Sequence, residues 1–510
     1  MKRLVLALLT IAMCISMTGC GGLFAQSGGE GGSGEDGAKT LRVAISKEPK
    51  SLLPYESNDT GTSMITGLIY DKLLDFDADM NLIPCLAKEW EQIDDTHYRF
   101  TLRDDVDFQN GSHFTAEDVL YTFQQNMASE AAAELLGPVD LDNCVIEDNY
   151  TIVMALTEPY PAFLNCCALE ISGIVCKEAM ESDPEGYASN PIGTGPFMNV
   201  VWNTGDSLEF DVNKNYWGGE VAYDKLLLRY IAEATTREIE AESGNVDIAA
   251  VTVNDVATVE QAEGIHLDTT EILNTAYISY NCSKEPFNNV KVRQAISCAI
   301  DSETIVKTVY KGYTEVAKSV VAPGVSGYYD AGEPYAYDVE RAKELMKEAG
   351  YEDGFSCTLI TNGDQSIAEM VQAYLAEINI DVKLNVTDFS NWLDAVVNGT
   401  QDMYLGGWTI PSADGAEGFA PFHSANFGAG GNRSRYSNPE ADALVEAGAV
   451  ETDVTKRNEI YKQLQELLAE ECVYKNLNVG VSFWAVSDNI EGFEFIPTQR
   501  LKLENITFKS

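Results

Sequence analysis

Beyond residue 40, short apolar runs of strand character alternate with amphipathic helical periods for most of the chain, which restricts the fold to layered α/β lobes. Residues 41–45, Leu-Arg-Val-Ala-Ile, open as a strand. Thr115, with Asp118 three places on, has the capping-box pattern at the start of a helix whose apolar positions include Val119, Leu120 and Phe123. Further on, Asp338 caps a helix over 339–349 that Gly350 stops. Residues 357–361 form a strand, 367–377 repeat the helical period and 382–386 form another strand.

The N-terminus is a different kind of sequence. Lys2 and Arg3 precede an apolar run over 4–15, too short and wrongly flanked to span a membrane, so residues 1–19 read as a signal peptide. The run ends in Met17-Thr18-Gly19-Cys20, a lipobox with Met in place of the usual Leu. Cleavage before Cys20 and lipidation of its thiol would hold the protein on the outer face of a membrane, at the cell surface or in the periplasm. Residues 20–39 are rich in Gly, Ser and acid and read as a flexible tether.

Composition narrows the partners. A net charge of −46 repels nucleic acid and anionic membrane alike. Setting aside Cys14 and Cys20, the other nine of the 11 cysteines lack metal or redox spacing and read as small buried apolar residues. Only His97, His113, His266 and His423 occur, with no His-Glu-x-x-His, no nucleophile elbow and no phosphate-cradling loop. An enzyme, a metal site and a bound cofactor are not expected.

The positive signal is a series of long motifs. Leu86-Ala87-Lys88-Glu89-Trp90, Tyr98-Arg99-Phe100-Thr101-Leu102-Arg103, Val106-Asp107-Phe108-Gln109-Asn110-Gly111 and Phe114-Thr115-Ala116-Glu117-Asp118-Val119 come first. Pro191-Ile192-Gly193-Thr194-Gly195-Pro196-Phe197, Asn213-Lys214-Asn215-Tyr216-Trp217 and the stretch from Val292 to Asp301 follow in order. By residue type these read as scaffold: alternating strands, an Asn-Gly turn, a helix cap and a Gly-Pro turn. Together they resemble the family 5 extracellular solute-binding proteins, the peptide and nickel binders of ABC importers.

The resemblance implies an α/β, two-lobed, periplasmic-binding-protein-like (type II) fold with an inserted third domain. Lobe one would comprise residues 40–75, 190–285 and 486–510, the insertion 76–189, and lobe two 286–485. The implied function is capture of a small ligand by hinge closure and delivery to permease subunits, by a monomer that breaks no bond. An oligopeptide is the expected ligand; a surface receptor for a signalling peptide, or a binder of a non-peptide solute such as an oligosaccharide, are the alternatives.

Six residues are candidates for ligand contact. Asn58 and Thr60 follow the first strand and offer polar groups, although a helix start there is an equal reading. Tyr277, on the strand leading into lobe two, offers a stacking ring or is core. Trp408, in Gly406-Gly407-Trp408-Thr409 after a short strand ending near Leu405, is expected to wall the pocket. Arg433, with Arg435 on a glycine-rich loop, suits a carboxylate or phosphate, or else a surface ion pair. Peptide binders of the family place an aspartate three residues after the Gly-Trp tryptophan to hold the ligand ammonium, and Pro411 stands there; Asp414 is the nearest substitute. The arginine that dipeptide binders set before the next helix is likewise replaced, by Gln365-Ser366. Either Asp414 serves from a shifted loop, or the ligand is a longer peptide, a sugar or another polar solute.

Overall fold

Two long antiparallel strands, Ile265–Tyr280 and Tyr474–Ser487, run through the middle of the molecule and belong to both of its halves. The computed structural model describes residues 38–56, 59–363 and 365–509, so Cys20 and Asn58 lie outside the described residues. Along their outer ends the long strands join a half-sheet in which Ile248–Val251, Thr40–Ile45, Lys225–Tyr230, Ser207–Val212 and Phe197–Asn203 follow in order. Beyond the midpoint Ile265–Tyr280 also pairs, on its other edge, with Met403–Thr409, followed by Phe355–Thr361 and Ile380–Val386. The result is a single ten-stranded sheet. The register between the long strands slips at 271–275 and again at 275–277, where pairing with Met403–Thr409 begins. Bulges bend and twist a ladder, so the sheet turns where its halves meet.

Local sequence accounts for most of the elements. Asp338 Oδ1 accepts the Arg341 N–H to start Val339–Glu348, and Gly350 leaves that helix at a φ of 82°. The Thr115 amide and hydroxyl both donate to Asp118, which opens Ala116–Ala128 as the capping-box spacing predicts. Met403–Thr409 differs from expectation: it continues past Leu405 because Asn274–Tyr280 pairs along its whole length. A second core packs helices Val290–Ala299 and Gln365–Ala376 around Phe355–Thr361 and Ile380–Val386.

Residues 76–189 contain a separate four-stranded antiparallel sheet in the order Ala87–Asp94, His97–Leu102, Thr151–Ala155, Val145–Asp148. Phe100 and Phe163 meet edge to face within its core. This region is tied to the first half-sheet through the Gly193-Thr194-Gly195 turn. Gln109 Nε2 donates to the Gly195 and Phe197 carbonyls at 3.1 and 2.9 Å, while its Oε1 accepts the Gly193 N–H. A Cβ on Gly193 or Gly195 would stand 2.0 or 2.6 Å from the Ile69 carbonyl oxygen, so neither position admits a side chain. Nearby, buried Lys72 pairs with Glu170 at 3.0 Å and Asp75 at 3.2 Å, and Arg500 also pairs with Asp75. Burial works against the Asp75 charge, but Lys72 and Arg500 hold its carboxyl well below the usual range. All nine cysteines of residues 39–510 are free thiols, seven of them buried.

Candidate ligand cleft

Two cavities meet where the half-sheets join, with Val481 of the second long strand lining both. The smaller, about 240 Å³, is walled by Ser46 and Lys47 after the first strand, Thr60 and Met64 of the helix Thr60–Ile69, Arg237, and the Trp484 ring. The larger, about 570 Å³, has the long strands as its floor. Ile272, Asn274 and Ala276 face it, while Leu273, Thr275 and Tyr277 are buried on the other side, as strand alternation requires. Phe389, Trp392, Trp408 and Arg433 stand round it.

The candidate residues separate on this geometry. Thr60 is the first residue of its helix, capped by Asp59 through the Gly61 and Thr62 amides, and lines the smaller cavity. Trp408 lines the larger one, and its indole N–H is buried without an acceptor among the described residues. Arg433 lines it too, its guanidinium 5.1 Å from the Trp408 ring centre and 5.5 Å from that of Trp392. Neither an ion pair nor a side-chain hydrogen bond engages that guanidinium among the described residues, and its Nε is buried unpartnered. Arg435, by contrast, is committed to the Val397 carbonyl at 2.7 Å and lies over Phe427.

Two expectations need correction. Tyr277 is 1% exposed and stacks on Tyr474 with ring centres 3.8 Å apart, beneath the floor rather than on it. Asp414 is 2% exposed and lines neither cavity: its two oxygens take both ends of the Arg457 guanidinium at 2.6 and 2.7 Å. It also accepts from Ser326 Oγ and caps Gly415–Phe419 through the Ala416 amide. A carboxylate so satisfied has nothing left for a ligand ammonium.

Sequence reasoning missed Trp392 and Asn478. Trp392 sits one turn into Phe389–Asn398, a helix that follows the strand Ile380–Val386 and is started by Asp388. That is the carboxyl end of a parallel strand, where open α/β sheets bind ligands, and this signal points to it. Asn478 is 2% exposed and keeps an unpartnered Oδ1 in the floor of the larger cavity.

A cleft at the junction of two half-sheets, crossed by two shared strands and walled by residues from both sides, defines a periplasmic-binding-protein-like solute receptor of the type II, two-lobed class. The chain belongs to the bacterial extracellular solute-binding proteins, family 5, whose model matches residues 81–429. It is 28% identical to the glutathione-binding protein GsiB of Salmonella paratyphi A, over 92% of this chain and 95% of that one. The dipeptide-binding protein of Escherichia coli K12 is equally similar, at 28% identity over the same shares of the two chains. Among solved structures, the ABC transporter-associated periplasmic binding protein DppA from Helicobacter pylori, in complex with the peptide STSA, superposes with a TM-score of 0.79 at 27% identity, covering 92% of this chain and 98% of DppA.

Proposed function

We propose that the protein captures an oligopeptide in this cleft and hands it to the permease of an ABC importer, held at the outer face of the membrane by a lipid on Cys20. Capture, rather than catalysis, is its activity. The observation that carries the reading is the pair of cavities joined at Val481 on a strand shared by both half-sheets. A ligand touching both sides favours whichever arrangement brings them together, so binding and closure are one equilibrium. The lobes that close are drawn from residues 40–75, 190–285 and 486–510 on one side and 286–485 on the other, with 76–189 outside the cleft. Peptide cargo is supported by the relatives named for dipeptide and glutathione and by the STSA complex. No helix among the described residues is long and apolar enough to cross a membrane.

Mass spectrometry of what the purified protein releases on gentle denaturation tests the cargo: peptides of a few residues are expected, and a sugar or other non-peptide solute would overturn it. Detergent partition of Cys20→Ala tests the anchor. Release to the aqueous phase is expected, and unchanged membrane attachment would refute it.

A further inference from the structure

The chain carries 80 acidic residues among 510, yet neither cleft cavity is lined by a single Asp or Glu among the described residues. At that acidic content, a lining of this size taken at random would hold about five carboxylates. The charged groups that do line the cleft are Lys47 and Arg237 on one side and Arg433 on the other, all cationic. Arg237 is engaged by the Ala250, Ile231 and Ala232 carbonyls and serves the scaffold. Lys47 is exposed and has no ion pair among the described residues. Arg433 is the built feature. Two indole faces hold its guanidinium in place at 5.1 and 5.5 Å, while no acceptor takes its N–H groups among the described residues. Aromatic faces favour the cation and reduce its freedom without consuming its in-plane donors, which leaves the fork geometry of the guanidinium available to a carboxylate.

We propose that the captured peptide is gripped by a carboxylate seated on Arg433, and that its ammonium group has no counter-charge in the cleft. This rests on the peptide-capture reading and specifies it. The sign matters because the molecule as a whole is strongly acidic: its long-range field attracts cations, but that field is screened over about 8 Å in physiological salt, so the contact groups decide what stays bound. Pro411 and the Arg457-bound Asp414 complete the picture, since the loop after Trp408 presents no free carboxylate. A buried ammonium there would go unpaired, whereas a ligand carboxylate would meet a fixed cation.

The test uses the full chain, dialysed free of bound solute, and random tetrapeptide pools lacking Asp and Glu. The pools are prepared with free ends, with acetylated amines, with amidated carboxyls, and with both ends blocked. Retention is read by mass spectrometry. Amidation is expected to reduce retention at least about 30-fold, the scale of removing one partner of a desolvated charge pair, while acetylation changes it less than about threefold. Arg433→Gln should abolish the preference for free carboxyls, and Arg433→Lys should keep part of it. Equal retention of amidated and free pools, a large loss on acetylation, or a carboxyl preference that survives Arg433→Gln would each overturn this inference while leaving peptide capture standing. Retention of no pool by the wild type would overturn peptide capture itself, and this inference with it. The comparison of pools on the wild type is independent of whether the variants fold.

Discussion

A carboxylate that already holds an arginine by both oxygens is a structural part. Asp414 and Arg457 are 3% and 8% exposed at their side chains, and the pair is completed by Ser326 and the Arg457 bond to Tyr461. Burial opposes the Arg457 charge, but Asp414 and Tyr461 hold its pKa above the usual value. Asp414→Asn should therefore cost about 3–5 kcal/mol of stability, the toll of stranding a buried charge, and leave the affinity of folded protein for its ligand within about twofold. Urea unfolding and calorimetry on the same samples check this; a normal midpoint with lost affinity would contradict it. Glu417, in the same helix, offers a pH signature. Burial pushes its carboxyl up, and although the Ser412 amide and hydroxyl bonds act the other way, Asp414 and Glu134 add to the rise, to about 7. The folded state thus binds a proton that the unfolded state has released above about pH 4.3. Stability from this group is complete below that pH and is lost as pH rises to about 7, after which the loss is constant. Glu417→Gln should remove the dependence, so its melting temperature should gain on the wild type between pH 5 and 7 and run parallel above; thermal scans across that range decide.

At the scale of elements, the turn Gly193-Thr194-Gly195 shows how a sequence motif becomes a joint. Its glycines let the chain pass against Ile69, Gln109 locks it from the side, and Thr194 Oγ1 donates to Asp71, which also accepts from Trp217 Nε1 at 2.7 Å. Gly193→Ala should cost about 3 kcal/mol by overpacking against backbone that has no room to shift. Ligand affinity, measured in the folded fraction, should be little changed, and a stable variant with weak binding would argue against a purely structural turn. Elements whose signals are local were legible in the sequence: Asp338 and Gly350 bound their helix, and Thr115 with Asp118 start theirs. Elements set by distant partners were not. The tail of Met403–Thr409 exists only because Asn274–Tyr280 lies beside it, and Tyr277 is buried because Tyr474, almost two hundred residues on, covers its ring.

Over the whole molecule, the family motifs carried the fold class, because they are the turns, caps and strand edges that any sequence of this architecture must satisfy. The cleft was only half legible. Trp408 and Arg433 stood out as large groups among glycines, but Trp392 in an amphipathic helix looks like core, and Asp414 looked available because its arginine lies 43 positions away. No local pattern announces such a pair.

The nine unpaired thiols have a use of another kind. Five lie in the 76–189 region and four between 282 and 472, with Cys298 and Cys357 in the second core, and burial raises the pKa of Cys85, Cys166, Cys167 and Cys357. A thiol in such a place reacts with an alkylating agent only while its surroundings are open, so each one is a clock for its own neighbourhood. Under native conditions Cys144 and Cys282, the two that are part-buried, should be modified first, and Cys166 and Cys167 last, with about a tenfold slower rate for every 1.4 kcal/mol of opening cost. Peptide mapping after timed exposure to iodoacetamide would read these rates from the unaltered protein. Uniform rates at all nine positions would mean that the 76–189 region and the second core open only together, whereas a graded series would chart the order in which they come apart.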